Sequence, residues 1–146
     1  MKRILLFGLL FILSATSFAQ DVFLGATKDK LSNYYIMSMR RNKNGSIEVL
    51  ERVKPTDGQL IAFRQSVIVQ RQKMKRDVDG FDKLGYYRRR IQINCKGKTY
   101  RMLEETYYDI TGKEISTSDP DPEETAKWEF IPAGTMREIE FNKACQ

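Results

Sequence analysis

The chain has 146 residues, two cysteines and no histidine, and its formal net charge is +6. That length allows one modest domain with a single hydrophobic core. The absence of histidine, of a phosphate-cradling glycine loop and of a nucleophile elbow removes the usual acid–base and nucleophile constellations, so we predict that the protein is not an enzyme and holds no metal or cofactor.

The first twenty residues, MKRILLFGLLFILSATSFAQ, have the layout of a secretory signal peptide: two cations, an apolar run from Ile4 to Leu13, and then small and polar residues. The apolar run is much shorter than the roughly 20 residues that a membrane-spanning helix needs. We therefore predict that residues 1–20 are a cleaved signal peptide, that the chain has no transmembrane span, and that residues 21–146 form one exported domain, periplasmic or secreted. No cysteine precedes Cys95, so we expect no lipid attached to an N-terminal thiol.

Cys95 and Cys145 are expected to form a disulfide. An exported chain meets an oxidising compartment, and a zinc site wants four ligands, so two cysteines without histidine favour a bridge over a metal site. Two unrelated buried thiols are the alternative. In the entropic model, closing a loop of about 50 residues restricts the unfolded chain by about 4 kcal/mol, so the bridge would be a determinant of the fold.

A β-hairpin is predicted around Asn44-Gly45, because this dipeptide favours a type I′ turn, in which both central residues have positive φ. Alternation gives each strand of the hairpin an apolar face: Tyr35, Met37 and Met39 on the incoming strand, and Ile47, Val49 and Val53 on the outgoing strand.

An amphipathic helix of roughly four to five turns is predicted for the stretch GQLIAFRQSVIVQRQKMKRD. Its apolar residues recur at helical spacing: Leu60, Phe63, Val67 and Met74. Its cations are Arg64, Arg71, Lys73, Lys75 and Arg76. Cations in the last turns suit the negative end of the helix dipole, so we interpret them as a solvated face and not as a contact with nucleic acid or an anionic membrane.

A three-stranded antiparallel meander is predicted for YYRRRIQINCKGKTYRMLEETYYDITGKEIS, with turns at 96–97 and 110–113 and a third strand at 114–117. In the first strand, alternation turns five residues toward the core: Tyr87, Arg89, Ile91, Ile93 and Cys95. In the second strand it places Tyr100, Met102, Thr106 and Tyr108 on one face, and Leu103 and Tyr107 on the other.

Arg88 and Arg90 are candidate binding residues, since both point outward from the first strand of the meander. The alternative for the triple arginine is edge protection and cross-strand pairing with Glu104 or Glu105. The chain's adjacent tyrosine pairs indicate half-buried strands more than a surface that binds carbohydrate or haem. Without histidine, haem iron would need methionine or tyrosine as its ligand.

The remaining segment mixes several signals. The acidic stretch SDPDPEETAK is predicted to be a solvated turn, because its spacing matches no calcium loop. Trp128 is interpreted as a core anchor.

In the last segment, Ile139 and Phe141 alternate as in a strand, while Thr135 and Glu138 form a capping box, as at the start of a helix. Local rules leave strand and helix both open.

The order of features from the first to the second cysteine resembles the bacterial surface-adhesin protein E family, mainly over residues 86–145. The shared features are an inward cysteine ending a strand, a tyrosine–arginine strand, a tyrosine–aspartate–glycine turn, a tryptophan before a proline–glycine–serine-like helix start, and a cysteine near the end. In this chain they are Cys95, Tyr100, Arg101, Tyr108, Asp109, Gly112, Trp128, Pro132, Gly134, Thr135 and Cys145. Ala133 is an extra residue in the proline–glycine–serine segment.

The resemblance implies an α+β fold: an antiparallel sheet of about six strands, one internal amphipathic helix, and a C-terminal helix held to the sheet by the disulfide. It also implies a cell-surface protein, since the namesake binds host extracellular-matrix and plasma proteins and can dimerise. We therefore expect an exported, non-catalytic binding module. Its partner would be an envelope protein, a host matrix protein or a polyanion, not nucleic acid, with homodimer formation as a further option. The alternative is a periplasmic structural or housekeeping protein with no adhesive role, because there is no lipidation cysteine.

Overall fold

A computed structural model describes residues 20–118 and 127–146. All of the predicted signal peptide except Gln20 lies outside the described residues, as do residues 119–126 of the acidic stretch. The predictions for these two segments therefore stay predictions.

The described residues form one antiparallel sheet and two α-helices. In chain order the elements are β1 (Val22–Ala26), β2 (Ser32–Arg41), β3 (Ile47–Pro55), α1 (Leu60–Lys73), a 3₁₀ turn (Phe81–Lys83), β4 (Leu84–Asn94), β5 (Thr99–Asp109), β6 (Glu114–Thr117), β7 (Glu129–Phe130) and α2 (Met136–Ala144). The strands lie in the order β1-β2-β3-β4-β5-β6, and the short β7 pairs with the start of β5. The predicted sheet of about six antiparallel strands is confirmed, including the third strand of the meander at Glu114–Thr117.

The predicted hairpin joins β2 and β3, but its turn type is different. Gly45 has a φ of +83°, whereas Asn44 is not among the residues with positive φ. The amide of Gly45 donates to the carbonyl of Asn42 at 3.0 Å, and the amide of Asn42 donates to the carbonyl of Ser46 at 2.8 Å. The type I′ prediction is therefore wrong, because this longer connection needs only one left-handed residue, the glycine.

Register shifts make two of the predicted strand faces wrong: Tyr35, Met37 and Met39 in β2, and Tyr100, Met102, Thr106 and Tyr108 in β5. In β2 the shift lies between Ile36 and Ser38, so Ile36 is buried, while Met39, beyond the shift, is 45% exposed. In β5 a shift separates Met102 from Glu104, so the residues before and after it do not share one face. A bulge adds one residue to a strand and thereby reverses the alternation beyond it.

Helix α1 buries Phe63 and Val67 as predicted, but its basic face is not wholly solvated. Arg71 is only 5% exposed. Its guanidinium carbon lies 4.4 Å from the ring centre of Phe81 and 4.8 Å from that of Tyr107. The solvated-face interpretation is therefore wrong for Arg71, because a guanidinium can lie flat on aromatic rings and cover them. Met74, predicted as part of the apolar face, lies past the helix end and is 46% exposed.

Both helices pack on one side of the sheet, which we call the inner face. The apolar cluster under α2 consists of Ile36, Ile47, Val49, Ile91, Ile93, Ile131 and Ala144. The cluster under α1 consists of Val53, Phe63, Val67, Phe81, Leu84, Tyr87 and Tyr107. Residues of β3 and β4 with the same alternation contribute to both clusters, so the inward face predicted for these two strands is confirmed. Neither described helix is long and apolar enough to cross a bilayer.

The last segment is a helix. The side chain of Thr135 accepts a hydrogen bond from the amide of Glu138, and the carboxylate of Glu138 accepts one from the amide of Gly134 at 2.7 Å. These bonds satisfy amides at the helix start that have no partner inside the helix. At the other end of α2, Cys145 is bonded to Cys95, with the two Cα atoms 5.7 Å apart. The predicted disulfide and the predicted C-terminal helix are both confirmed.

Gly85 allows β4 to lie very close to the end of β5. A Cβ at Gly85 would lie 2.7 Å from the carbonyl oxygen of Asp109 and 2.8 Å from the Cα of Ile110. Since both are backbone atoms, we expect Gly85→Ala to lower the free energy of unfolding by about 1–3 kcal/mol. Gly97→Ala is the control, because its Cβ would meet the movable side chain of Asn94. Urea titrations of both variants check this, and equal losses would contradict it.

Candidate binding surface

The face of the sheet opposite the two helices, which we call the outer face, carries the predicted binding residues. Helices α1 and α2 bury their apolar residues in the two inner-face clusters, so in the described part of the chain no helix lies across the outer face. Cross-strand neighbours form four rows on it: Tyr86 and Tyr108; Tyr35, Arg52, Arg88 and Thr106; Leu50, Arg90 and Glu104; Glu48, Gln92 and Arg101.

Tyrosines and arginines of the outer face stack on one another. The rings of Tyr86 and Tyr108 lie parallel with centres 4.9 Å apart. The guanidinium carbon of Arg88 lies 4.8 Å from the ring centre of Tyr108, and that of Arg52 lies 5.5 Å from the ring centre of Tyr86. Stacked rings attract each other, and a guanidinium group is attracted to the face of an aromatic ring. They hold the long side chains flat on the sheet, so this surface is ordered before any partner arrives.

Arg90 is paired within the sheet. Its guanidinium lies 3.4 Å from the carboxylate of Glu104 and 3.8 Å from that of Glu48. On the inner face, the neighbouring Arg89 pairs with Glu105. The predicted cross-strand pairing of the triple arginine is therefore present for these two arginines. Arg88 differs, since within the described ranges its contacts are the rings of Tyr86 and Tyr108 and not a carboxylate.

Trp128 and Arg101, two of the family-motif residues, lie at one end of the outer face. Trp128 is 41% exposed, so its interpretation as a core anchor is wrong. The guanidinium carbon of Arg101 lies 4.7 Å from the tryptophan ring centre, and its Nε donates to the side-chain oxygen of Gln92 at 2.7 Å. The tryptophan ring packs on a charged side chain at the sheet surface and not in an apolar cluster.

The other motif residues shape turns and attach elements. Asp109 accepts hydrogen bonds from Thr111 and from the amide of Lys113, which lowers the pKa of Asp109 and closes the turn that contains Gly112. The hydroxyl of Tyr100 donates to Glu129 at 2.9 Å and links β5 to β7. The remaining motif residues form the start of α2: Pro132, Gly134 and Thr135. The motif therefore does not converge on a single site.

A buried charged cluster, which we call the inner network, lies on the inner face between the two apolar clusters. Its members are Glu51, Arg89, Glu105, Arg137 and Glu140. Arg137 contacts both oxygens of Glu51, at 3.1 and 3.3 Å, and also pairs with Glu140. Burial, with the nearby Glu51 carboxylate as a second cause, raises the pKa of Glu140 to about 8.

The sequence patterns did not predict most residues of the inner network. Glu51 shares its alternation with Ile47, Val49 and Val53, so an inward carboxylate was readable from the predicted strand. Arg137 and Glu140 carry no such signal, because their orientation depends on how α2 docks. A cleft of about 300 Å³ opens beside Glu51 and Arg137, walled by Tyr34, Tyr100, Pro132, Thr135 and Met136.

The carboxylates of the inner network pair with arginines. Within residues 20–118 and 127–146, no three histidine, cysteine, aspartate or glutamate side chains are grouped so as to hold a metal ion. The outer face therefore offers the better binding surface, since its arginines and tyrosines are ordered and partly exposed.

Comparison with known families gives one match. The model of the family described as surface-adhesin protein E matches residues 24–146. Searches of curated proteins and of solved structures found no match. The matched region contains every described element from β2 to α2 and both cysteines, and thus extends well beyond the motif residues. The chain belongs to the surface-adhesin protein E family.

Proposed function

We propose that this protein is an exported, non-catalytic binding module that holds a partner protein on its outer face. The observation that carries the proposal is the ordered arginine–tyrosine surface around Arg88, which no described helix covers. Membership of an adhesin family supports a role in attachment. The partner would be an envelope or host matrix protein, and a homodimer or a polyanion would use the same surface.

We propose further that residues 1–20 direct export and that residues 21–146 form a single domain. A periplasmic structural role is the second candidate, favoured by the absence of a cysteine before Cys95. Fractionation of cells, with protease added to intact cells, separates the two roles. Detection at the surface or in the medium supports attachment, whereas a strictly periplasmic protein supports the structural role.

Binding is tested with the purified full chain against immobilised envelope, matrix and plasma proteins. We expect saturable binding to at least one of them, and we expect the double variant R88Q/R90Q to weaken it about tenfold or more, the equivalent of 1.4 kcal/mol. The control is K75Q/R76Q, which removes the same charge from two exposed residues just after α1. No saturable binding, or an equal loss in the control, would overturn the proposal.

A further inference from the structure

Two arginines are directly opposed on the outer face. Arg52 of β3 and Arg88 of β4 are cross-strand partners, and like charges in that position repel. Elsewhere on this face arginines have carboxylate neighbours, as Arg90 has Glu104. Among the described residues, Asp21 is the carboxylate that pairs with this arginine couple. Its oxygen lies 2.6 Å from Nη1 of Arg52. Within the described residues, the guanidinium of Arg88 contacts the rings of Tyr86 and Tyr108 and no carboxylate.

The same two arginines have unpartnered donors. Among the described residues, three buried side-chain polar atoms lack a hydrogen-bond partner, and two of them are Nε of Arg52 and Nε of Arg88. A buried donor without a partner costs free energy. Nε of both arginines is shielded from solvent, so an incoming carboxylate meets the terminal Nη groups, as that of Asp21 does on Arg52. An oxyanion bound to the terminal Nη groups would therefore relieve the repulsion between the two guanidinium groups.

The surroundings favour a single anionic group over a uniformly charged polymer. The carboxylate of Glu104 lies in the adjoining row and that of Glu48 in the row beyond it, where an extended polyanion would meet them. The faces of Tyr86 are occupied by the neighbouring ring and by guanidinium groups, so this ring offers little stacking surface to a sugar. The Asp21 contact shows that a carboxylate fits beside Arg52.

We propose that Arg52 and Arg88 form an oxyanion-binding site that takes the carboxylate of an acidic side chain on the partner protein. This inference rests on the proposed function, because it names the chemical group that the outer face recognises. Asp21 competes for Arg52 within the chain. The partner carboxylate binds Arg88 and displaces Asp21 or lies beside it.

The test is an NMR titration of the arginine Nε–H signals in the full chain, with acetylated tetraglutamate amide as the probe and a sulfated tetrasaccharide as the comparison. We expect saturable shifts at Arg52 and Arg88 with the acidic peptide. R88Q should weaken the peptide's binding about tenfold, and D21N should strengthen it severalfold. The control is R76Q, which removes one exposed positive charge just after α1 and should change the affinity less than twofold.

The absence of saturable shifts would overturn the site, as would binding of the sulfated sugar alone or an equal loss in R76Q. Should R88Q fail to fold, R88K replaces it. Lysine keeps the charge but cannot make two parallel hydrogen bonds to a carboxylate. An R88K affinity equal to that of the unmodified chain would overturn the site. If matrix binding persists in the previous experiment while the acidic peptide does not bind, the site is wrong and the proposed function stands. If neither occurs, both are wrong.

Discussion

Replacing Cys95 and Cys145 together with serine is expected to lower the free energy of unfolding by about 4 kcal/mol. The bond joins residues 50 positions apart, so its loss releases a long loop in the unfolded chain. It also frees the end of α2, whose Phe141 and Ala144 pack on the cluster that includes Ile91.

Urea titrations with and without reductant check this expectation. The reduced unmodified chain should match the double variant, and the variant itself should not respond to reductant. A difference below about 1 kcal/mol between oxidised and reduced protein would contradict it, because a structural disulfide in a small domain is worth more than that.

The second large effect is the dependence of stability on pH, and it depends on Glu140. This residue is 1% exposed, and burial next to Glu51 raises its pKa from the ordinary 4.5 to about 8. Between these values the folded chain keeps a proton that the unfolded chain has lost. Stability should therefore fall as the pH rises from about 4.5 to about 8, by up to about 1.4 kcal/mol per pH unit.

The variant E140Q should remove this slope, because glutamine keeps the shape of the side chain and does not titrate. The chain contains no histidine, the side chain that ordinarily titrates in this window. E138Q is the control on the same helix: a hydrogen bond from Gly134 lowers the pKa of Glu138, so its titration lies below the window. Urea titrations from pH 5 to pH 8.5 provide the measurement, and a slope retained in E140Q would contradict the assignment.

Helix α2 is attached to the sheet near both of its ends. The disulfide attaches α2 after its last turn, while Arg137 attaches its first turns to Glu51 of the sheet. Lys98 and Glu138 add a more exposed pair at 2.9 Å. Holding α2 on the inner face leaves the outer face open for the binding role that we propose.

The outward direction of two arginines on the candidate binding surface could be predicted from the sequence, but their neighbours could not. Alternation correctly turned Arg88 and Arg90 outward, because the period of two is a local property of a strand. The opposition of Arg52 and Arg88 was not predictable, since it depends on the register between β3 and β4, which are separated by the whole of α1. No residue near either arginine encodes that register.

By itself the sequence determined the strands of the β2–β3 hairpin and the meander, helix α1 and the inward direction of Cys95, because periodicity and turn residues act over a few positions. Only the tertiary structure decided the bulges after Ile36 and Met102, the burial of Arg71 and the exposure of Trp128. It also decided the inner network, whose members come from β3, β4, β5 and α2. The physical reason is that a charged or aromatic side chain is buried or exposed according to the partners that distant segments bring to it.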